Sequence, residues 1–165
     1  MINIPVIDQE VQTALKKMLD HSQDAKPAMA AISGVMLGAI EDNFRAEGRP
    51  QKWRALRSST LAARAAAGKA GKILQATGKL AASMTPFHSN TEAGVGTNRP
   101  YAAAMHFGSK PHEIKPKNKK ALAFGGKVFR RVKHPGTVAR PFMVLMPNDQ
   151  EDILDIAARH LMSGV

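Results

Sequence analysis

Apolar residues recur at helical spacing in the first part of the chain, and this pattern predicts two helices. The first is expected to begin at Asp8 as its N-cap and to end near His21. Its apolar stripe consists of Val11, Leu15, Met18 and Leu19. The second is expected to be capped by Asp24 and stopped by Gly48. Its apolar stripe consists of Met29, Ile32, Met36, Ile40 and Phe44.

The middle of the chain has shorter patterns. Trp53 and Leu56 lie three positions apart and are expected to anchor the segment after the second helix in the core. An alanine-rich helix is predicted from a cap at 58–60 to about Ala67. A further short helix is predicted within 73–84, where apolar residues again recur at helical spacing.

Two hairpins are predicted in the second half of the chain. The first pairs 87–90 with 93–97. The second lies within 121–132 and turns at Gly125 and Gly126, because two glycines favour a two-residue turn. Its return strand, 128–132, mixes apolar and basic residues on both faces, which favours a strand at a sheet edge.

A short helix and a long loop are predicted between the two hairpins. The helix ends at Gly108, and Tyr101 and Met105 are expected on one of its faces. The segment 109–120 is rich in proline and lysine and holds little to bury. We therefore expect it to be a basic, mobile loop.

A last apolar stripe predicts an amphipathic C-terminal helix after Asn148. With the other patterns it predicts an α+β fold: N-terminal helices, a small mainly antiparallel sheet from hairpins, and the amphipathic C-terminal helix. The 165 residues suit a single domain that spans 1–165. The residues expected to anchor its core are Phe44, Trp53, Leu56, Leu74, Leu80, Tyr101, Phe142, Ile153 and Ile156.

The charge of the chain is strongly segregated. The net charge is +11. Residues 1–47 carry four basic and seven acidic groups, a net −3, and 134–165 carry two basic and four acidic groups, a net −2. Residues 48–109 carry nine basic groups and one acid, and so do residues 110–133, which gives +8 for each segment. Such a cationic middle attracts a polyanion or an acidic protein surface.

The basic loop and the second hairpin supply the candidate contact residues. They are Lys115, Lys117, Lys119, Lys120, Lys127, Arg130, Arg131 and Lys133. These cations would bind phosphates in a salt-dependent manner that does not depend on sequence, or they would rest on an acidic neighbouring subunit. Few aromatic residues lie among them, so a stacking platform for single strands is not indicated.

The sequence holds no recognisable catalytic or metal-binding pattern. It has no cysteine, no phosphate-binding glycine loop and neither an HExxH nor a GxSxG motif. Four histidines, at 88, 106, 112 and 134, have spacings that match no standard metal cluster. We expect no catalytic centre, metal or cofactor. A small basic ribonuclease using His106, His112 or His134 remains an alternative. No signal peptide or membrane span is predicted.

Four short motifs follow one another along the chain. They are EGRPxxWxxL at 47–56, ILQxTGxLxxS at 73–83, VGTNxxYAxxxHxG at 95–108 and HPGTxARPF at 134–142. In this order and spacing they resemble the phage virion morphogenesis, or tail completion, family of Mu-like and P2-like contractile-tailed phages. The resemblance covers roughly 40–145.

The resemblance implies a non-enzymatic structural protein of phage assembly. It would act in tail completion or in head–tail joining at the neck, through formation of a ring and docking to other tail or neck proteins. The implied copy number near a sixfold tail is six, and the implied location is the host cytoplasm during assembly, then the virion tail or neck. No membrane partner is implied. A basic nucleic-acid-binding protein is the alternative function.

Overall fold

The computed structural model describes residues 9–69, 71–117, 121–124 and 127–163. Its helices are α1 (Gln9–Gln23), α2 (Lys26–Ala46), α3 (Ser58–Ala66), α4 (Ala102–Phe107) and α5 (Pro147–Met162), with a 3₁₀ turn at Ala81–Ser83. Its strands are β1 (Met84–His88), β2 (Ala93–Thr97), β3 (His112–Ile114), β4 (Leu122–Phe124), β5 (Lys127–Phe129) and β6 (Val132–His134). The predicted α+β class with a C-terminal helix is confirmed.

Helix α2 is the element on which the others pack. Its buried apolar residues are Ala28, Ile32, Ala39, Ile40 and Phe44. It lies against the β1–β2 hairpin and against α5. The helix ends as expected before Gly48, whose N–H donates to the carbonyl of Asn43 at 2.9 Å and whose φ is +109°. A Cβ at this position would lie 2.5 Å from the Gln51 carbonyl oxygen, so only glycine fits the turn.

Within the described residues the strands form three antiparallel pairs, β1 with β2, β3 with β6 and β4 with β5, instead of one small sheet. The predicted return strand 128–132 is interrupted by a bend at Arg130. Its first part pairs with β4, and the chain beyond the bend pairs with β3. Strand β3 lies within 109–120, so the prediction of a loop without regular structure was wrong there. Residues 118–120 are outside the described part.

The β1–β2 hairpin confirms the predicted second strand and corrects the first. Strand β1 begins three residues earlier than predicted, at Met84, and Pro86 lies opposite Val95. Phe87 lies opposite Gly94, where a Cβ would come within 2.5 Å of the Phe87 ring. The glycine thus lets the phenyl ring cover the neighbouring strand. The helix predicted within 73–84 is reduced to the 3₁₀ turn that precedes β1.

The core is built where α2, the 53–80 segment and residue 142 meet. Its buried cluster consists of Ile40, Phe44, Trp53, Ile73, Leu80, Met84, Ala102 and Phe142. Leu56 and Leu74 pack partly buried against this cluster, and Ile153 and Ile156 are half-buried on α5. Tyr101 was wrongly placed in the core: it is 42% exposed. Because α4 begins only at Ala102, that alanine takes the buried position.

Helix α1 forms as predicted, but its apolar stripe is largely exposed. Val11 is 52% exposed, Leu15 61% and Leu19 58%. The helix contacts α5, whose Leu154 and Met162 are exposed as well. The N-terminal apolar stripe therefore contributes less to the core than its spacing alone suggests.

Candidate partner-binding surface

The first and last sequence motifs meet at one junction in the core. The indole Nε1 of Trp53 donates to the Pro141 carbonyl at 3.0 Å. The Asn43 amide, fully buried, donates to the carbonyls of Phe142 at 2.9 Å and Val144 at 2.8 Å. These bonds tie α2 and the segment after it to residues about a hundred positions later, so the junction holds the fold together.

Arg49 of the first motif extends this junction. Its Nε donates to the Asn43 side-chain oxygen at 2.9 Å and its Nη2 to the Ala39 carbonyl at 2.7 Å. The carboxylates of Asp42 and Asp149 lie 3.6 and 3.5 Å from its guanidinium. Asp149 also accepts the N–H of Met146 at 2.7 Å, which fixes the start of α5. Arg49 therefore stabilises the interior, where the carboxylates of Asp42 and Asp149 offset its positive charge.

The second and third motifs also bond to the core backbone. The Glu47 carboxylate accepts the N–H of Ile73, and the Gln75 amide donates to the Phe44 carbonyl at 2.8 Å. Nδ1 of His106 lies 3.3 Å from the backbone nitrogen of Phe142 and 3.4 Å from that of Met143, and its ring meets the Phe142 ring edge-on. Residues of all four motifs thus form bonds within the core. Sites that bind partner proteins must therefore lie on the surface.

His106 is expected to make folding pH-dependent. Burial lowers the pKa of His106 below the ordinary 6.5, because desolvation disfavours the charged imidazolium. The unfolded state therefore binds more protons, and stability is lost as pH falls from about 7 through the unfolded pKa. Urea midpoints at pH 7.5 and 5.5 should differ less in His106→Gln than in the parent chain. An unchanged difference, or the same change in the exposed-site variant His88→Gln, would contradict this origin.

A groove of about 420 Å³ opens beside the junction. Its lining residues are Arg49, Pro50, Gln51, Lys52, Trp53, Arg54, Ala139, Pro141 and Val144. It lies between the first and last motifs, which meet through the Trp53 indole, so the core fixes both of its walls. The charged residues of its lining are basic, and the interior offsets the charge of Arg49.

Arg54 lines this groove, and its positive charge and that of Arg64 act on Arg140. These three residues, Arg54, Arg64 and Arg140, are here called the arginine cluster. The Nη2 of Arg140 donates to the Arg54 carbonyl at 3.1 Å, and its backbone N–H donates to the Met105 carbonyl at 2.9 Å. Nε of Arg140 is buried and has no hydrogen-bond partner within the described ranges. Burial, together with the positive charges of Arg64 and Arg54, lowers the pKa of Arg140. The Arg140 guanidinium is thus held in place beside two further positive charges.

The predicted contact residues lie elsewhere, on the β3–β6 ladder and its flanks. Lys115 and Arg131 each lie 3.4 Å from the Glu113 carboxylate, and Lys133 faces Glu113 in the ladder register. Lys117 and Arg130 are exposed. The Glu113 carboxylate therefore lies close to several positively charged side chains of this ladder. Lys119 and Lys120 lie outside the described residues, and Lys127 is placed in β5 by its backbone alone.

The same ladder brings two of the predicted histidines together. His112 and His134 are paired in register, and their rings stack at a centroid distance of 5.0 Å. Their spacing along the chain did not indicate this, because it depends on a strand pairing between distant segments. Within the described ranges, no three or more His, Cys, Asp or Glu residues come together where they could hold a metal ion. In the same ranges no helix is long and apolar enough to span a membrane.

Comparisons with known proteins agree with the resemblance carried by the four motifs. The model of the phage virion morphogenesis family matches residues 6–162. A curated relative, the Mu-like prophage FluMu G protein 2 of Haemophilus influenzae, is 36% identical over 156 residues, which are 94% of this chain and 92% of the relative. No solved structure matches the chain. The chain belongs to the phage virion morphogenesis family.

Proposed function

We propose that this protein is a non-enzymatic structural component that acts in tail completion or head–tail joining at the phage neck. Membership of the virion morphogenesis family supports a role in phage assembly. The packing of all four motifs into the core supports it further, because the motif residues serve the scaffold. In this proposal the chain acts as one domain, 1–165, in the host cytoplasm during assembly, and docks to other tail or neck proteins.

The main support for the proposed mode of action is the segregation of charge along the chain. The ends of the chain carry −3 and −2 and its middle carries +8 and +8. An acidic end of one subunit can therefore lie against the basic middle of the next, and such a head-to-tail contact closes into a ring when the rotation permits. In this proposal the ring holds six subunits. The predicted contact residues between Lys115 and Lys133 lie on its basic surfaces and face DNA or an acidic neighbouring protein.

Sedimentation velocity at increasing protein concentration tests ring formation. At low salt we expect a discrete oligomer whose fraction falls as salt rises, because exposed charge pairs are screened over about 8–10 Å near physiological ionic strength. The double variant Arg130→Glu, Lys133→Glu should assemble less. The double variant Lys16→Glu, Lys17→Glu on the exposed part of α1 makes the acidic end more acidic, so it should assemble at least as well as the parent chain. A strict monomer under all conditions, including with tail proteins added, would refute the ring.

A free nucleic-acid-binding protein is the second candidate, favoured by the excess of positive charge. The two basic segments together carry +16, and the acidic ends supply only −5. Filter binding of DNA at low and high salt, carried out on monomeric protein, separates this candidate from a role that requires the ring.

A further inference from the structure

We propose that the outer face of α5 binds the basic β4–β5 hairpin of a second copy of this chain. The surface on α5, here called the outer stripe, consists of the exposed residues Leu154, Ala158, Leu161 and Met162. The surface on the hairpin, here called the hairpin face, consists of Ala123, Val128 and Arg130. The inference rests on the proposed ring, and it names the two surfaces that meet in each contact of that ring.

The outer stripe is apolar but lies in solvent. Its members follow Leu154 by four, seven and eight positions, so they share one side of the helix. Ile153 and Ile156 are half-buried on another side. Leu154 is 69% exposed, so α1 and α2, which both contact α5, leave it in solvent. An exposed apolar surface with polar residues around it is typical of a site that binds another protein.

Acidic residues border the outer stripe. Glu151 lies three positions before Leu154, and Asp155 lies three positions before Ala158, so both lie beside the stripe on the helix surface. Both come after the first turn of α5, so the positive end of the helix dipole does not account for them. Asp155 bonds Arg159 at 2.7 Å, whereas Glu151 is in no ion pair within the described ranges. The acidic border is therefore only partly neutralised.

The hairpin face is also apolar, but its border is basic. Val128 is 71% exposed and lies opposite Ala123, which is exposed as well. Directly opposed residues lie on the same side of a hairpin, so these two side chains form a small apolar patch. Arg130 at the bend and Lys133 beyond it are exposed, and in the part of the chain that the structure describes Arg130 is in no ion pair.

Charge decides which of these surfaces meet. Packing of the outer stripe on the same stripe of another copy would bring like carboxylates together, and packing of two hairpin faces would bring like arginines together, which is unfavourable. Packing of the outer stripe on a hairpin face joins an acidic border to a basic one around an apolar centre. Because this contact uses two different surfaces, it is heterologous and can repeat around a ring. The acidic border also repels the phosphates of DNA, so we assign the outer stripe to a second copy.

Sedimentation of charge-reversed variants at low salt tests the contact. Glu151→Lys, Asp155→Lys and, separately, Arg130→Glu, Lys133→Glu should each assemble on the order of tenfold more weakly than the parent chain, because attraction becomes repulsion at two positions. An equimolar mixture of the two variants should assemble like the parent chain, because every reversed surface then meets a complementary one. Equal thermal melting of the three proteins shows that the fold is intact.

The variant Lys16→Glu, Lys17→Glu is the matched control for total charge. It lowers the net charge of +11 by as much as the hairpin variant does. It should still assemble, because α1 carries neither surface of the proposed contact.

Introduced thiols test the same contact without changing its charge, since the chain has no cysteine. A mixture of Leu154→Cys and Val128→Cys should form dimers with a short bis-maleimide, and neither variant alone should do so, because each contact needs both surfaces. Asn98→Cys, at an exposed position outside both surfaces, should not cross-link to Leu154→Cys.

The outcomes separate this contact from the ring itself. If the parent chain assembles and the charge-reversed variants assemble equally well, or if mixing them restores nothing, the contact is refuted and the ring stands. Cross-linking of Leu154→Cys to itself in preference to Val128→Cys would show that like surfaces meet, which refutes the proposed pairing. A parent chain that stays monomeric at every concentration and salt, with no cross-link in the mixture, refutes both the ring and the contact.

Discussion

Replacing Trp53 with alanine is expected to lower the free energy of unfolding by about 3–5 kcal/mol. The indole is only 7% exposed, meets the Phe44 ring edge-on at 5.9 Å and donates to the Pro141 carbonyl. Truncation removes this packing, leaves a cavity beside Phe44 and leaves the Pro141 carbonyl without its donor. Urea denaturation followed by far-ultraviolet circular dichroism measures the effect without relying on tryptophan fluorescence.

Trp53→Phe is the matched control for this experiment. It keeps most of the apolar volume and removes the Nε1 donor, so we expect it to cost clearly less than the alanine variant. A loss below about 1 kcal/mol in Trp53→Ala would contradict the central place of this residue, because a loss that small is closer to that of surface substitutions.

Replacing Asn43 with alanine is expected to cost about 2–4 kcal/mol, although it removes few atoms. The side chain is fully buried and donates to two carbonyls, and its oxygen accepts from Arg49. The substitution leaves three polar groups short of a partner. It also releases the segment that follows Phe142 from α2, so it should loosen the start of α5.

Asn98→Ala provides the comparison, since Asn98 lies in another of the four motifs and is not buried. We expect its stability to stay within about 0.5 kcal/mol of the parent chain. Hydrogen exchange adds a local test: amides near 143–150 should lose protection in Asn43→Ala. Parent-like protection there, with stability unchanged, would show that the junction is not a main support of the fold.

Most of the helices could be predicted because their signal is local, although the helix predicted within 73–84 is only a 3₁₀ turn. The stripe from Met29 to Phe44 and the stop at Gly48 lie within one stretch, and α2 follows them closely. The strand at Ala93–Thr97 was also predicted, because its hairpin turn is short. Strand β3 was missed because its three residues form a strand only through pairing with β6, which lies further along the chain beyond the second hairpin. Tyr101 was misplaced because the start of α4 decides which side chain faces inward.

The candidate site was only partly accessible to sequence reasoning. The cations between Lys115 and Lys133 form a visible run, and several of them do lie on or beside the β3–β6 ladder. The arginine cluster joins Arg54 to Arg140, which are 86 positions apart, and no local pattern indicates such a meeting. The one available signal was the absence of acidic residues between 48 and 91. It indicated the segment that holds Arg54 and Arg64, but it did not indicate Arg140.

The hydrogen bonds of Asn43 also limit when the chain can fold during translation. Its two carbonyl partners follow it by 99 and 101 residues, and the Pro141 carbonyl follows Trp53 by 88. At about 5–20 residues per second, α2 waits on the order of 5–20 s for these partners to be synthesised. Because the last motif closes the core, a nascent chain cannot present a finished subunit before synthesis is nearly complete. We therefore expect the core to close only after residues 141–144 have been synthesised.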